Sequence, residues 1–439
     1  MLHNDLQNLN KIPFHMPGHK RNPKFNIIGS EEDITEIEGF DNLHYATGSI
    51  KEIEDCLSEF YSSKRSFLLV NGSTVGLLSA IFAVTDDGDK IIIARNCHKS
   101  VYSACLLRHL NVIYAEPDYD ELHGIYTRIT QEEIDRLTKQ HPDAKAIVVT
   151  TPTYEGITSN ITANIPIIAD GAHAAHFPFG SFPKYPAADI VISSLHKTLP
   201  ALTQTAVANI YNDAFTSKFK FYVDIFETSS PSYILMASAS KCCEYLKCSK
   251  EDFNNYSEML DDFYNKTKLS HLSFLPADDK SRICVSTAKS NINAAQLCKI
   301  LQNKHKIEPE AAYIEHIVLI STVADDENAL NALSKALTET DNAVSSEMPK
   351  MLQKPPCGDE IRRFELPEKY EATPIETCEG KTGAEFIFAY PPDIPLLTPN
   401  EIITPELLSI ISEFKESGTE LVSDSGLLIS NCILTKAEL

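Results

Sequence analysis

Asp189-Ile-Val-Ile-Ser-Ser-Leu-His-Lys-Thr-Leu-Pro-Ala-Leu-Thr-Gln204 is the stretch on which the reading of this chain turns. Its opening residues are short, apolar and β-branched, as in a strand buried on both faces of a parallel sheet. The strand runs out into Ser194, His196 and Lys197. A lysine delivered by the end of a buried strand is a candidate Schiff-base amine, because desolvation favours its neutral, nucleophilic form. Upstream, Ile165–Ala169 reads as a second buried strand that delivers Asp170, followed by Gly171, Ala172 and His173. A carboxylate held there can pair with a pyridinium nitrogen, the partner that pyridoxal phosphate needs to act as an electron sink. Most lysines are solvated surface groups. Asp-x-Ala-His and Ser-x-His-Lys together mark Lys197 as catalytic.

Working outward, short apolar strands alternate with helices from Lys64 to about Tyr211. The expected strands are Phe67–Val70, Lys90–Ala94, Val112–Ala115, Ala146–Thr150, Ile165–Ala169, Ile190–Ser193 and Ala206–Tyr211. Helices are expected over Val75–Val84, Ser100–His109 and Thr130–Lys139. That alternation predicts an α/β fold with a mainly parallel sheet, whose ligands bind beyond the carboxyl ends of the strands. A mixed helical segment, Thr228–Thr267, leads to a smaller C-terminal α+β domain. There Ile283–Thr287, Ile317–Ser321 and Ala384–Ala389 read as strands, and Ala294–Asn303, Glu327–Glu339 and Pro405–Ser417 as helices. Met348–Thr373 reads as a surface wrap. The predicted division is an N-terminal arm (1–60), a large domain (61–267) and a small domain (268–439).

Two further sites stand at strand ends. Gly72-Ser73-Thr74 opens a helix directly after Phe67–Val70, so free N–H groups and two hydroxyls meet there. That is an anion site, although Ser and Thr also serve as plain N-caps. His98 follows Lys90–Ala94 and is a candidate acid for returning a proton to carbon.

Composition excludes several classes. The net charge of −22 argues against nucleic-acid binding and is compatible with a cationic substrate. No apolar run is long enough for a membrane helix, and the N-terminus lacks the features of a signal peptide. A cytoplasmic location is expected. The eleven cysteines are scattered without zinc-site spacing, and no metal is expected.

The ordered motifs resemble the ornithine/lysine/arginine decarboxylases, fold-type I pyridoxal phosphate enzymes with the aspartate aminotransferase-like fold. They are Phe14-His-Met-Pro-Gly-His-Lys20, Gly39-Phe-Asp-Asn-Leu43, Asn71-Gly-Ser-Thr74, Ala94-Arg-Asn-Cys-His-Lys-Ser100 and Thr151-Pro-Thr-Tyr-Glu-Gly156. Ser194–Gln204, Thr228-Ser-Ser-Pro-Ser-Tyr233 and Tyr390-Pro-Pro-Asp-Ile-Pro-Leu-Leu397 complete the set. The resemblance implies pyridoxal 5'-phosphate on Lys197, with Asp170 at the ring nitrogen, Gly72, Ser73 and Thr74 toward the phosphate, and Ser194 or His196 near it, both of them cofactor-binding candidates. It places His98 over the ring near the substrate carboxylate, His173 beside Asp170, and small Ala172 against the ring face. The implied reaction is decarboxylation of arginine, lysine or ornithine, with arginine slightly favoured and polyamine synthesis as its setting. The implied assembly is a homodimer or a dimer of dimers. Asp41 and, second, Glu379 are candidates to bind the substrate's distal cation. The alternative is another reaction on the same scaffold, an aminotransferase or a carbon–sulfur or β/γ-eliminating lyase. Aminotransferases usually hold the substrate carboxylate with a late arginine, and no arginine follows Phe364. The chain departs from the family at Gly171, Ala174 and Asp393. The response-regulator-like N-terminal domain of the large inducible members is expected to be missing.

Overall fold

The computed structural model describes residues 2–9, 12–357, 361–389 and 394–437. The chain divides into two compact units, Met1–Val84 with Pro166–Asn255, and Thr85–Ile165 with Tyr256–Leu439. In the first unit the strands lie in the order Arg65–Leu69, Ala206–Ile210, Ile190–Ser194, Ile167–Asp170. The last two run parallel, with Asp170 opposite Ile192. Their residues are fully buried, which is why they read as continuous apolar runs. The strand ending in Asp170 starts at Ile167 rather than Ile165. Pro166 has no N–H to offer a ladder.

Ala206–Ile210 breaks the parallel expectation, running antiparallel to both its neighbours. The link from Ser194 to Ala206 holds only the one-turn helix Leu195–Thr198. That is too short for the crossover a parallel return requires. The chain therefore doubles back, and the lysine sits in the tight return.

In the second unit Ile147–Thr150, Lys90–Ala94 and Asn111–Ala115 are parallel neighbours, and Arg362–Arg363 adds an antiparallel edge. An antiparallel sheet of Ser273–Phe274, Arg282–Ser286, His316–Ile320 and Ala311–Ala312 follows. The segment expected to wrap the surface instead enters two pairings. Besides Arg362–Arg363, Tyr370–Pro374 pairs with Cys432–Lys436, a strand unread in the sequence. Pro405–Ser417 is helical as expected, capped by Thr404 at its start and by left-handed Gly418 at its end. The motif residues 390–393, with the Asp393 departure, lie outside the described residues. Among the described residues no helix is long and apolar enough to cross a membrane.

Candidate active site

In the first unit the parallel pair delivers its chemistry as its burial pattern dictates. Asp170 ends one strand, 3% exposed, and its Oδ1 accepts the Ala172 N–H at 3.2 Å. Burial pushes its pKa up, opposed by the nearby Lys197 charge and by that backbone N–H. Lys197 lies in the one-turn helix after the neighbouring strand, and its Nζ stands 3.2 Å from Nε2 of His173. The fold thus brings His173 and Lys197 together and sets Asp170 within reach of the Lys197 charge. Ala172 takes part through its backbone, its carbonyl accepting the Ser194 N–H at 3.3 Å.

Ser194 is fully buried, yet its Oγ has no hydrogen-bond partner among the described residues. A buried hydroxyl left unmatched costs about 1–3 kcal/mol, so its position fits an acceptor supplied by a ligand. His196 donates from Nδ1 to the Thr205 carbonyl at 2.9 Å, leaving Nε2 as the acceptor of the neutral ring. Burial lowers its pKa, and the Lys197 charge lowers it further, against the Thr205 carbonyl.

The anion turn adjoins this return. Gly72 adopts φ +77°, a conformation that disfavours side chains, and its N–H donates to the Gln204 carbonyl at 2.8 Å. The helix Gly72–Val84 starts there, so the remaining N–H groups of its first turn have no intrahelical acceptor. Ser73 is half-buried and Thr74 exposed. The Gln204 carbonyl was not singled out in the sequence; only the fold places it against Gly72. At the Gly171 departure, a Cβ would lie 3.1 Å from Val191 and 3.3 Å from the Ser193 hydroxyl. A side chain there would need the neighbouring buried strand to give by a few tenths of an ångström.

Asp41 has a different task from the one expected. Its carboxylate accepts the N–H groups of Asn42, Thr47, Gly48, Ile50 and Lys51 at 2.8–3.3 Å, closing the start of the helix Ser49–Tyr61. The expectation of an acid facing a substrate cation gives way at Asp41 to a cap. In the second unit His98 is the N-cap of Lys99–Leu107, its Nδ1 accepting the Ser100 N–H at 3.2 Å and meeting the Ser100 hydroxyl at 2.8 Å. Glu379 is exposed on the turn after Ile375–Thr377.

A profile described as Orn/Lys/Arg decarboxylase, major domain, matches residues 4–274. The chain belongs to the Orn/Lys/Arg decarboxylase family. Membership makes it an amino-acid decarboxylase. It is 30% identical to an arginine decarboxylase of Halalkalibacterium halodurans over 93% of this chain and 91% of that enzyme. An arginine decarboxylase of Bacillus subtilis is 28% identical over the same shares. The constitutive lysine decarboxylase of Escherichia coli superposes with TM-score 0.78 at 17% identity, over 99% of this chain and 80% of that one. An alanine–glyoxylate aminotransferase of Nostoc gives TM-score 0.55 at 13% identity, over 76% and 98%. These likenesses define the fold as that of the fold-type I enzymes, α/β with a large, mostly parallel sheet.

Proposed function

We propose that this decarboxylase acts on arginine in preference to lysine or ornithine, with pyridoxal 5'-phosphate as cofactor. The observation that carries the reading is the strand-end pair. Lys197 faces His173 at 3.2 Å, and the buried Asp170 carboxylate accepts one backbone N–H. Asp170 then has acceptor capacity left for a protonated ring nitrogen, and the unmatched Ser194 hydroxyl has its proton to donate to a phosphate oxygen. Ser73, Thr74 and the first-turn N–H groups complete the anion site, with His196 at its side. Ala172 leaves room for a flat ring. The bound cofactor supplies a sink for the electron pair released as carbon dioxide leaves. With it in place, Asp170 would hold a proton on the ring nitrogen, Lys197 would supply the amine, oriented by His173, and His98 would be the acid that returns a proton to the α-carbon.

Arginine is favoured by the relatives. The arginine decarboxylases align over 91% of their length, whereas the inducible lysine decarboxylase of Escherichia coli aligns over 54% of this chain and 38% of its own length. Exposed Phe14, Ile28, Tyr45, Phe221 and Ile225 support a homodimer or a dimer of dimers. All eleven cysteines are free thiols, which supports a cytoplasmic location, and polyamine synthesis is the setting that an arginine decarboxylase would serve. The division into arm (1–60), large domain (61–267) and small domain (268–439) belongs to the same reading. Carbon dioxide release from arginine, lysine, ornithine and norleucine tests it. Arginine is expected to be fastest; norleucine turned over equally well would refute recognition of a distal cation.

A further inference from the structure

Arg65–Leu69 is an edge strand, paired on one side only, with Ala206–Ile210. Along such a strand every second N–H points away from the sheet and needs an acceptor. The chain supplies one at each step. Ser58 Oγ accepts the Ser66 N–H at 2.8 Å, and Glu54 Oε1 the Leu68 N–H at 3.4 Å. Just past the strand, Glu227 Oε1 accepts the Val70 N–H at 2.6 Å.

The third acceptor differs from the first two. Ser58 and Glu54 come from the adjacent helix Ser49–Tyr61, whereas Glu227 is brought from the end of Thr216–Phe226. It is 5% exposed, and its Oε2 is buried without a partner among the described residues. Burial pushes its pKa up to about 7, opposed by the Val70 N–H and the nearby His44. A hydroxyl would satisfy one N–H at less desolvation cost, as Ser58 does. The next residue makes a second grip, for the Thr228 N–H donates to Asn71 Oδ1 at 3.1 Å. Thr228 is itself held, its carbonyl lying 2.9 Å from His44 Nε2, while His44 Nδ1 meets Asp224 at 2.8 Å. Val70 and Asn71 are thus clamped immediately before Gly72.

We propose that Glu227 is a positioning residue for the Gly72–Thr74 turn, fixing the direction in which its N–H groups present to the cofactor phosphate. This inference rests on the reading of that turn as the phosphate site. Glu227 touches no reacting atom. It acts through Val70 and, with Thr228, through Asn71.

The test is equilibrium binding of pyridoxal 5'-phosphate and of phosphate-free pyridoxal to the full-length protein and its variants. Glu227→Ala is expected to weaken pyridoxal phosphate binding about tenfold to a hundredfold, the loss of one hydrogen bond to a charged group. Pyridoxal affinity is expected to stay unchanged. Glu227→Gln keeps a carbonyl for the Val70 N–H and is expected to restore most of the difference. Should the alanine variant not fold, Glu227→Asp, whose carboxyl is drawn back by one methylene, is expected to show the same selective loss. An equal loss for both ligands, or none for either, overturns the proposal. A wild-type protein with no preference for the phosphorylated form removes the phosphate-site reading itself, a result visible without any variant.

Discussion

The strand end at Asp170 and the turn at Asp41 each bury a carboxylate in the first unit, but they use it in opposite ways. Asp41 is surrounded by donors: five backbone N–H groups converge on its two oxygens. Burial alone would raise its pKa, yet the N–H groups of Thr47, Gly48, Lys51 and Asn42 outweigh that and lower it. Asp170 accepts one backbone N–H, and there burial prevails and raises the pKa. A carboxylate saturated by its own backbone is a structural part. One that is buried and undersupplied is available to a ligand. Sequence motifs mark both as acids of interest; the donor count separates them.

The sharpest way to break this contrast is at the lysine beside Asp170. Lys197→Ala is expected to abolish decarboxylation while the protein keeps its fold, and borohydride reduction of the wild type should fix the cofactor to the peptide carrying Lys197. Labelling of another lysine would move the site elsewhere. Asp170→Asn comes next. It is expected to bind cofactor but to lose roughly a hundredfold or more in kcat, the scale of a positioned proton-holding group. Near-normal turnover would show that Asp170 is not the ring partner.

Asp41 should answer in stability rather than in chemistry. Asp41→Ala is expected to cost about 1–2 kcal/mol in unfolding free energy, as lost helix caps do. Activity per folded molecule should hold. A raised KM for arginine with unchanged stability would return Asp41 to the substrate pocket.

The smallest effects are in pH dependence, and they carry opposite signs. For Asp41, whose folded pKa is lowered, the contribution to stability is present above the ordinary value of 3.8 and is lost as pH falls through the folded pKa. Asp41→Asn should flatten the wild type's loss of stability on the acid side. For Asp170, whose folded pKa is raised, the folded state holds its proton longer, so stability falls as pH climbs from 3.8 through the folded value. Asp170→Asn should gain on the wild type over that rise. Chemical denaturation across pH 3 to 7 reads both slopes, and slopes of the same sign would erase the distinction.

Ile167–Asp170 and Ile190–Ser194 were legible because each is buried throughout and so reads as an apolar run. The lysine was legible because its motif is local, all within one strand and the turn after it. Where the sequence misled, a single geometric constraint was at work. Pro166 trimmed a strand, and the short Leu195–Thr205 return turned a parallel neighbour antiparallel. The terminal pairing of Tyr370–Pro374 with Cys432–Lys436 was missed because an exposed two-stranded ribbon leaves little apolar pattern to read.

By itself, then, the sequence determined the α/β alternation, the ends at which Asp170 and Lys197 stand, and the family. These follow from local periodicity and contiguous motifs, which need no partner to be recognised. Only the tertiary structure decided which acids are free to act. It saturated Asp41 with the backbone of its own helix start and left the Ser194 hydroxyl unmatched. It also carried Glu227 across 157 residues of chain to the Val70 N–H. Hydrogen-bond supply at a buried group depends on what the fold brings alongside, and no stretch of sequence contains that information.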